Sequence, residues 1–295
     1  MARERLDVSL RVNREMLVIL GWGRAILLQF AHPLVAAGVA EHSDFSRARA
    51  GRTRRLMHTV QSFLALTFGE LDERHAAAAR INAIHLRVHG TLKRSAGRFA
   101  AGTPYSAEDP ELLRWVHCTL VDSVMRVYEL VVEPLSVADK DRLAASAATI
   151  EPLLRIPDGF LPRDLRTLDA YLERMQSSGE VVVTDTARLL ARDLLEPPLA
   201  WMVRPAFQVL RLLTIGLLPP AVRAGYGYAW TDKDERALAR RVWMLRGLRR
   251  ILPRAAWEWP AARRSRAAGP HGAREGCRSH AGVSKDHSPH VARNT

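Results

Sequence analysis

Apolar residues in this chain recur at helical spacing almost from end to end, and that periodicity constrains the fold more than any other feature. Leu56, Thr59, Val60, Phe63 and Leu66 fall three or four residues apart, as do Leu113, Val116, Leu120, Val124 and Val127. Such spacing places each set on one face of a helix. Ala, Leu and Arg dominate and β-branched residues rarely cluster, which favours helix over strand. The one β-like run, Val181–Thr184, is short enough to read as an extended linker. An all-α protein is therefore expected, a single helical bundle over residues 1–260. A disordered basic tail over 261–295 follows, where the periodicity stops and Gly, Ser, Arg and His take over.

Local signals punctuate the bundle. Asp109 followed by Pro110 is a strong helix start, with the aspartate as N-cap and the proline in the first turn. Helices are expected to start near Arg11 and to span Arg55–Phe68, Asp72–Arg94, Val137–Leu154 and Leu165–Met175. Further ones are expected from Asp185 to Leu195, over Phe207–Leu218 and over Asp232–Ile251. Ser43–Thr53, polar and rich in arginine, reads as a loop. Gly21, Gly23 and Gly38 allow backbones to approach closely.

The formal net charge is +13, and 40 of the 44 cationic side chains are arginine. Such a balance suits nucleic acid, anionic lipid or an anionic ligand, and it also arises from coding bias towards arginine. No helix-turn-helix or zinc-finger signature accompanies it, so nucleic acid is not the expected partner. Two cysteines, Cys118 and Cys277, make neither a disulfide framework nor a zinc site. They point to a reducing compartment and a cytoplasmic location. No signal-like segment and no uninterrupted membrane-length apolar run is present. The nearest approach, Pro205–Val222, is interrupted by Arg211. It reads either as a core helix or as a peripheral contact with a membrane or an oily substrate.

Histidines carry the chemical interest. They recur on otherwise apolar segments in GRAILLQFAHPLVAAGVAEHSDF (Gly23–Phe45), RLMHT (Arg55–Thr59) and HLRVHG (His85–Gly90). A buried imidazole needs a partner. Several in one helical core suggest a metal or a haem. Arg55, His58 and Thr59 stand at i, i+3 and i+4, so a cation, an imidazole and a hydroxyl share one helix face. They form either a site or a solvated face. His85 falls among Ile81, Ile84 and Val88 and is either a hydrogen-bonded core residue or a ligand. His32 and His42 flank a small-residue helix and are candidate pocket-lining groups. There is no HExxH, GxSxG, Walker A or GxGxxG motif, and no Glu-x-x-His pair repeats as in a di-iron bundle. A metal site here would be rich in nitrogen and poor in carboxylate, which suits haem.

With these stretches, DPELLRWVHCTLVDSVMRVYE (Asp109–Glu129) and LLTIGLLPPAVRAGYGYAW (Leu212–Trp230), the chain resembles the MpaB/rubber oxygenase family. That family includes the latex-clearing proteins and fungal MpaB-type oxygenases. The likeness runs in order over roughly residues 10–250. It implies an all-helical fold, a b-type haem, and O2-dependent oxidation of an apolar, isoprenoid-like small molecule or polymer by C=C cleavage. It places the proximal iron ligand on His85. It places the family's arginine, basic residue and threonine on Arg55, His58 and Thr59, as catalytic groups that also face the cofactor. The basic residue is a lysine in latex-clearing proteins. Histidine at position 58 departs from that, and is either a distal iron ligand or a hydrogen-bond donor. A haem-binding protein without oxygenase turnover is the alternative, and a basic nucleic-acid-binding helical module a lesser one. Nothing in the sequence reveals the oligomeric state.

Overall fold

A computed structural model describes residues 2–42, 49–195 and 204–267. Their architecture is helical. The helices are α1 (Ala2–Asn13), α2 (Trp22–Phe30), α3 (Pro33–His42), α4 (Arg49–Phe68), α5 (Leu71–His85), α6 (Pro110–Val131), α7 (Val137–Ala147), α8 (Leu165–Ser177), α9 (Asp185–Leu195), α10 (Arg204–Gly216), α11 (Pro220–Gly225), α12 (Asp232–Ile251) and α13 (Pro260–Ala267). A 3-10 segment, Met16–Gly21, joins α1 to α2. Two short strands, β1 (His89–Thr91) and β2 (Pro104–Ser106), pair antiparallel with Gly90 opposite Tyr105.

The central helix is α6. Asp109 caps it by accepting the Glu111 amide at 2.9 Å, as the Asp-Pro signal requires. Its buried residues Trp115, Cys118, Val124, Met125 and Tyr128 form the main core with Leu27, Leu28 and Phe30 of α2 and Leu168 and Tyr171 of α8. Close approach of α2 depends on glycine. A Cβ at Gly21 would lie 2.6 Å from the Ser123 carbonyl oxygen, and one at Gly23 would lie 2.1 Å from Thr214 Oγ1. At this crossing the side chain of Arg24 is also buried. Its guanidinium lies 2.7 Å from Asp122 and donates to Ser123 Oγ and to the Leu217 carbonyl, both at 2.7 Å. One cation thereby ties α2, α6 and the end of α10 together.

Several expected elements are redrawn. The long helix through Arg94 ends at His85, because the chain turns there to pair as β1. The Val181–Thr184 run is extended without being a strand; the Val182 amide donates to the Ala31 carbonyl at 2.8 Å. Helix α4 begins at Arg49, inside the stretch read as loop, while residues 43–48 lie outside the described residues. The region around Pro205–Pro220 belongs to the core: Leu213, Thr214, Ile215 and Leu218 are buried. Helix α13 carries the fold seven residues past Pro260. Trp257 and Trp259 exchange backbone hydrogen bonds with Met16 and Arg14, closing the C-terminal part onto the N-terminal part. The remaining tail lies outside the described residues, as do His271, His280, His287 and His290.

Candidate functional site

Helices α4 and α5 form a hairpin that turns at Gly69-Glu70. A Cβ at Gly69 would meet the Ala65 carbonyl oxygen at 2.4 Å. Glu70 caps α5 reciprocally with Glu73, so the turn is set by local chemistry. At about 1.5 Å per residue, Arg55 on one arm and His85 on the other lie about 22 and 23 Å from the turn, and His58 about 17 Å. Each motif thus lies towards the end of its helix away from the turn.

Position along the arm and orientation around it differ. On α4, Val60 and Phe63 face the core, the Phe63 ring meeting Trp22 edge-on at 5.1 Å. His58 and Thr59 point elsewhere and are exposed. The side chain of Arg55 lies outside the described residues. On α5 the residues turned inward are Ala77 and Ala78, and Ile84 is 53 % exposed, so the buried face is rotated from the expected Ile81/Ile84 stripe.

His85 is half-buried. Burial lowers its pKa against an opposing pull from the Glu108 carboxylate, so the ring is neutral near pH 7. Among the described residues no hydrogen bond to the ring is found, which leaves the imidazole with its lone pair available.

The stretch that follows His85 is fastened at three points, two on α3 and one on β2, and these explain the HLRVHG pattern. Val88 packs where a Cβ on Gly38 would stand, 3.3 Å from its methyl. Gly90 lies against Tyr105, where a Cβ would come within 2.6 Å of the hydroxyl. His42 Nε2 meets the His89 carbonyl at 2.9 Å. Tyr105 in turn donates to Glu41 at 2.8 Å, and Glu41 pairs with Lys93 at 3.0 Å. The first and third histidine-bearing stretches are therefore in direct contact. His42 is exposed, and its ring meets the backbone of the strand.

His32 is 1 % exposed and faces Phe99 and Trp115, with ring centroids at 5.2 and 6.5 Å. Burial lowers its pKa to about 4, and the nearest carboxylate, Glu180, stands 3.9 Å away. It is a neutral core imidazole at the α2–α3 corner. His117, half-buried on α6, is likewise depressed to about 4 by burial.

Sequence reasoning missed Glu41, Tyr105 and Glu108. The Tyr105–Gly90 contact spans two strands, and the only local sign of it was the glycine that closes HLRVHG.

These helices define an all-α domain in which one desolvated, neutral histidine is held at the end of a helical hairpin. The chain matches the family model described as ER-bound oxygenase mpaB/B'/Rubber oxygenase, catalytic domain, over residues 10–247. It belongs to that family. Comparison with curated proteins and with solved structures finds no match. Membership makes the chain an oxygenase at family level, with O2 and an oxidisable substrate as reaction partners.

Proposed function

We propose that the protein is a haem-dependent oxygenase acting on an apolar substrate, with His85 as the proximal iron ligand. The observation that carries this reading is the state of that imidazole: neutral, half-buried, without a hydrogen-bond partner among the described residues, and fixed by the clamp on β1. The donor set fits a porphyrin better than a bare ion. A protein-held zinc or non-haem iron needs about three or more protein ligands. No group of three or more His, Cys, Asp or Glu among the described residues could hold one. A single imidazole suffices where the macrocycle supplies the other donors. When bound, haem supplies the redox chemistry by which O2 is activated.

The chain's own residues then have defined tasks. His85 holds its position because Val88 and the His89 carbonyl are pinned to α3 and Gly90 to Tyr105 of β2. Glu108, whose carboxylate pulls on the His85 ring, is the candidate for orienting it. On α4, Arg55 is suited to pair with a propionate carboxylate, and Thr59 to donate one hydrogen bond. His58 carries an imidazole on the same helix, able to donate or accept one hydrogen bond. Its exposure favours that role over that of a second iron ligand.

The test is an oxygen-electrode assay on the full chain produced with adequate haem, given a polyisoprenoid or a shorter terpenoid. Expected are substrate-dependent oxygen uptake and a carbonyl product that carries substrate carbon. Oxygen uptake without such a product refutes cleavage, and no uptake with any apolar alkene refutes the oxygenase assignment for this substrate class.

A further inference from the structure

Helix α12 has two apolar faces, and only one is used inside the protein. Leu238 and Val242 are buried with Leu245 half-buried beside them, packed on Val209 and Leu213 of α10. Arg249 fixes the same side to Glu15 at 2.7 Å, and Arg246 donates to the Leu130 carbonyl at 2.8 Å. Away from these residues stand Trp243, 76 % exposed, and Ile251, 81 % exposed, with Met244 and Leu248 also exposed. Helical geometry gathers them with Arg236, Arg240 and Arg250 in an arc of about 160°. Gly247 lies within that arc, and a Cβ there would meet nothing within 4 Å. Among the described residues nothing covers this arc.

Charge says what covers it. Between Glu235 and Glu258 the chain carries seven arginines and no carboxylate. Arg236, Arg240, Arg250 and Arg254 are exposed and have no acidic partner among the described residues. A stripe of Trp, Ile, Met and Leu bordered by unpaired arginines matches the layered chemistry of a lipid interface. Tryptophan and aliphatic side chains enter the boundary of headgroups and acyl chains, and guanidinium groups meet lipid phosphates. A second copy of the same face would bring like charges together, and an apolar polymer would leave the arginines unanswered. We propose that the outer face of α12, Arg236 to Ile251, with Arg254 just beyond the helix, docks the protein on an anionic membrane surface. The segment around Pro205–Pro220, which the sequence leaves open between core helix and membrane contact, is core. This docking does not depend on the iron ligand.

The test uses the full chain in vesicle co-sedimentation, with neutral phosphatidylcholine against phosphatidylcholine containing phosphatidylglycerol. Expected is retention on the anionic vesicles alone, weakened by 0.5 M NaCl. Trp243→Ala with Ile251→Ala is expected to weaken retention by more than tenfold. Arg240→Gln with Arg250→Gln is expected to weaken it by roughly fivefold per arginine. All four side chains are exposed, so both variants should keep the wild-type melting temperature. Should one misfold, the other decides. Unchanged retention in the variants moves binding elsewhere, to the basic C-terminal residues for example, and overturns the proposal. So does a wild-type dimer that Trp243→Ala with Ile251→Ala dissociates without any vesicle binding, which assigns the face to a second copy. Equal retention on neutral vesicles overturns it as well.

Discussion

Replacing Asp122 by alanine should be among the most damaging single changes in this protein. The carboxylate is buried, accepts from Arg24 at 2.7 Å, and shares its other contacts with half-exposed Arg126. Removing it leaves the Arg24 guanidinium, 4 % exposed, with two neutral acceptors and no counter-charge. Truncating one partner of such a buried pair costs about 3–5 kcal/mol, because the surviving charge stays desolvated. The Arg126 contact is solvent-screened and adds little. In a domain of this size that loss lowers the melting temperature by roughly 6–20 °C. Replacing both partners by apolar residues, Arg24→Met with Asp122→Leu, removes the stranded charge. Ser123 keeps its bond to the Thr119 carbonyl at 2.6 Å, and the Leu217 carbonyl is orphaned at a cost of about 1–3 kcal/mol. The double variant should therefore be more stable than Asp122→Ala. Thermal and urea unfolding followed by circular dichroism measure both. A loss below about 1 kcal/mol for the single variant, or a double variant less stable than the single one, refutes the reasoning.

Other outcomes follow from the same geometry. Gly90→Ala should cost about 1–3 kcal/mol from overpacking against Tyr105, since the tyrosine must swing away from Glu41; an unchanged unfolding midpoint would show that the clamp is slack. His32, with its pKa lowered in the folded state to about 4, binds fewer protons folded than unfolded between pH 6.5 and 4. Its stabilising effect is complete above pH 6.5 and falls by up to about 1.4 kcal/mol per pH unit as the medium is acidified. His32→Leu should flatten that acid limb, leaving the part due to His117. A variant as acid-sensitive as the wild type would remove His32 from the account. His58→Ala should leave the iron spectrum of haem-loaded protein nearly unchanged while slowing oxygen uptake; a marked spectral change would make His58 a direct ligand.

How much the sequence disclosed follows from the range of each interaction. Helices with local signals are placed well: the structure begins α6 at Asp109-Pro110, opens α9 on Thr184, whose hydroxyl accepts the Ala187 amide at 3.1 Å, and runs α12 over Asp232–Ile251 as the periodicity requires. The helix through Arg94 fails because β1 is stabilised by residues 104–106, and no local period encodes that pairing. The orientation of α5 fails for a related reason. Its inward residues are alanines, which give only a weak apolar contrast. The outer face of α12 escapes notice because apolar residues on opposite sides cancel in a helical pattern. At the site, the residues were legible and their setting was not. His85 and the α4 triad stand out in the text, whereas the role of His42 and the contribution of Glu108 depend on contacts between segments. The buried Arg24–Asp122 pair is invisible to any rule that keeps charges outside.

The central claim is that His85 is the residue that holds the iron. Visible absorption of the purified full chain, produced with adequate haem, measures it directly. Expected is a Soret band from the wild type that is lost in His85→Ala, with the circular dichroism of the helical fold retained. A colourless wild type, or a Soret band of undiminished intensity and position in a folded His85→Ala, would contradict it.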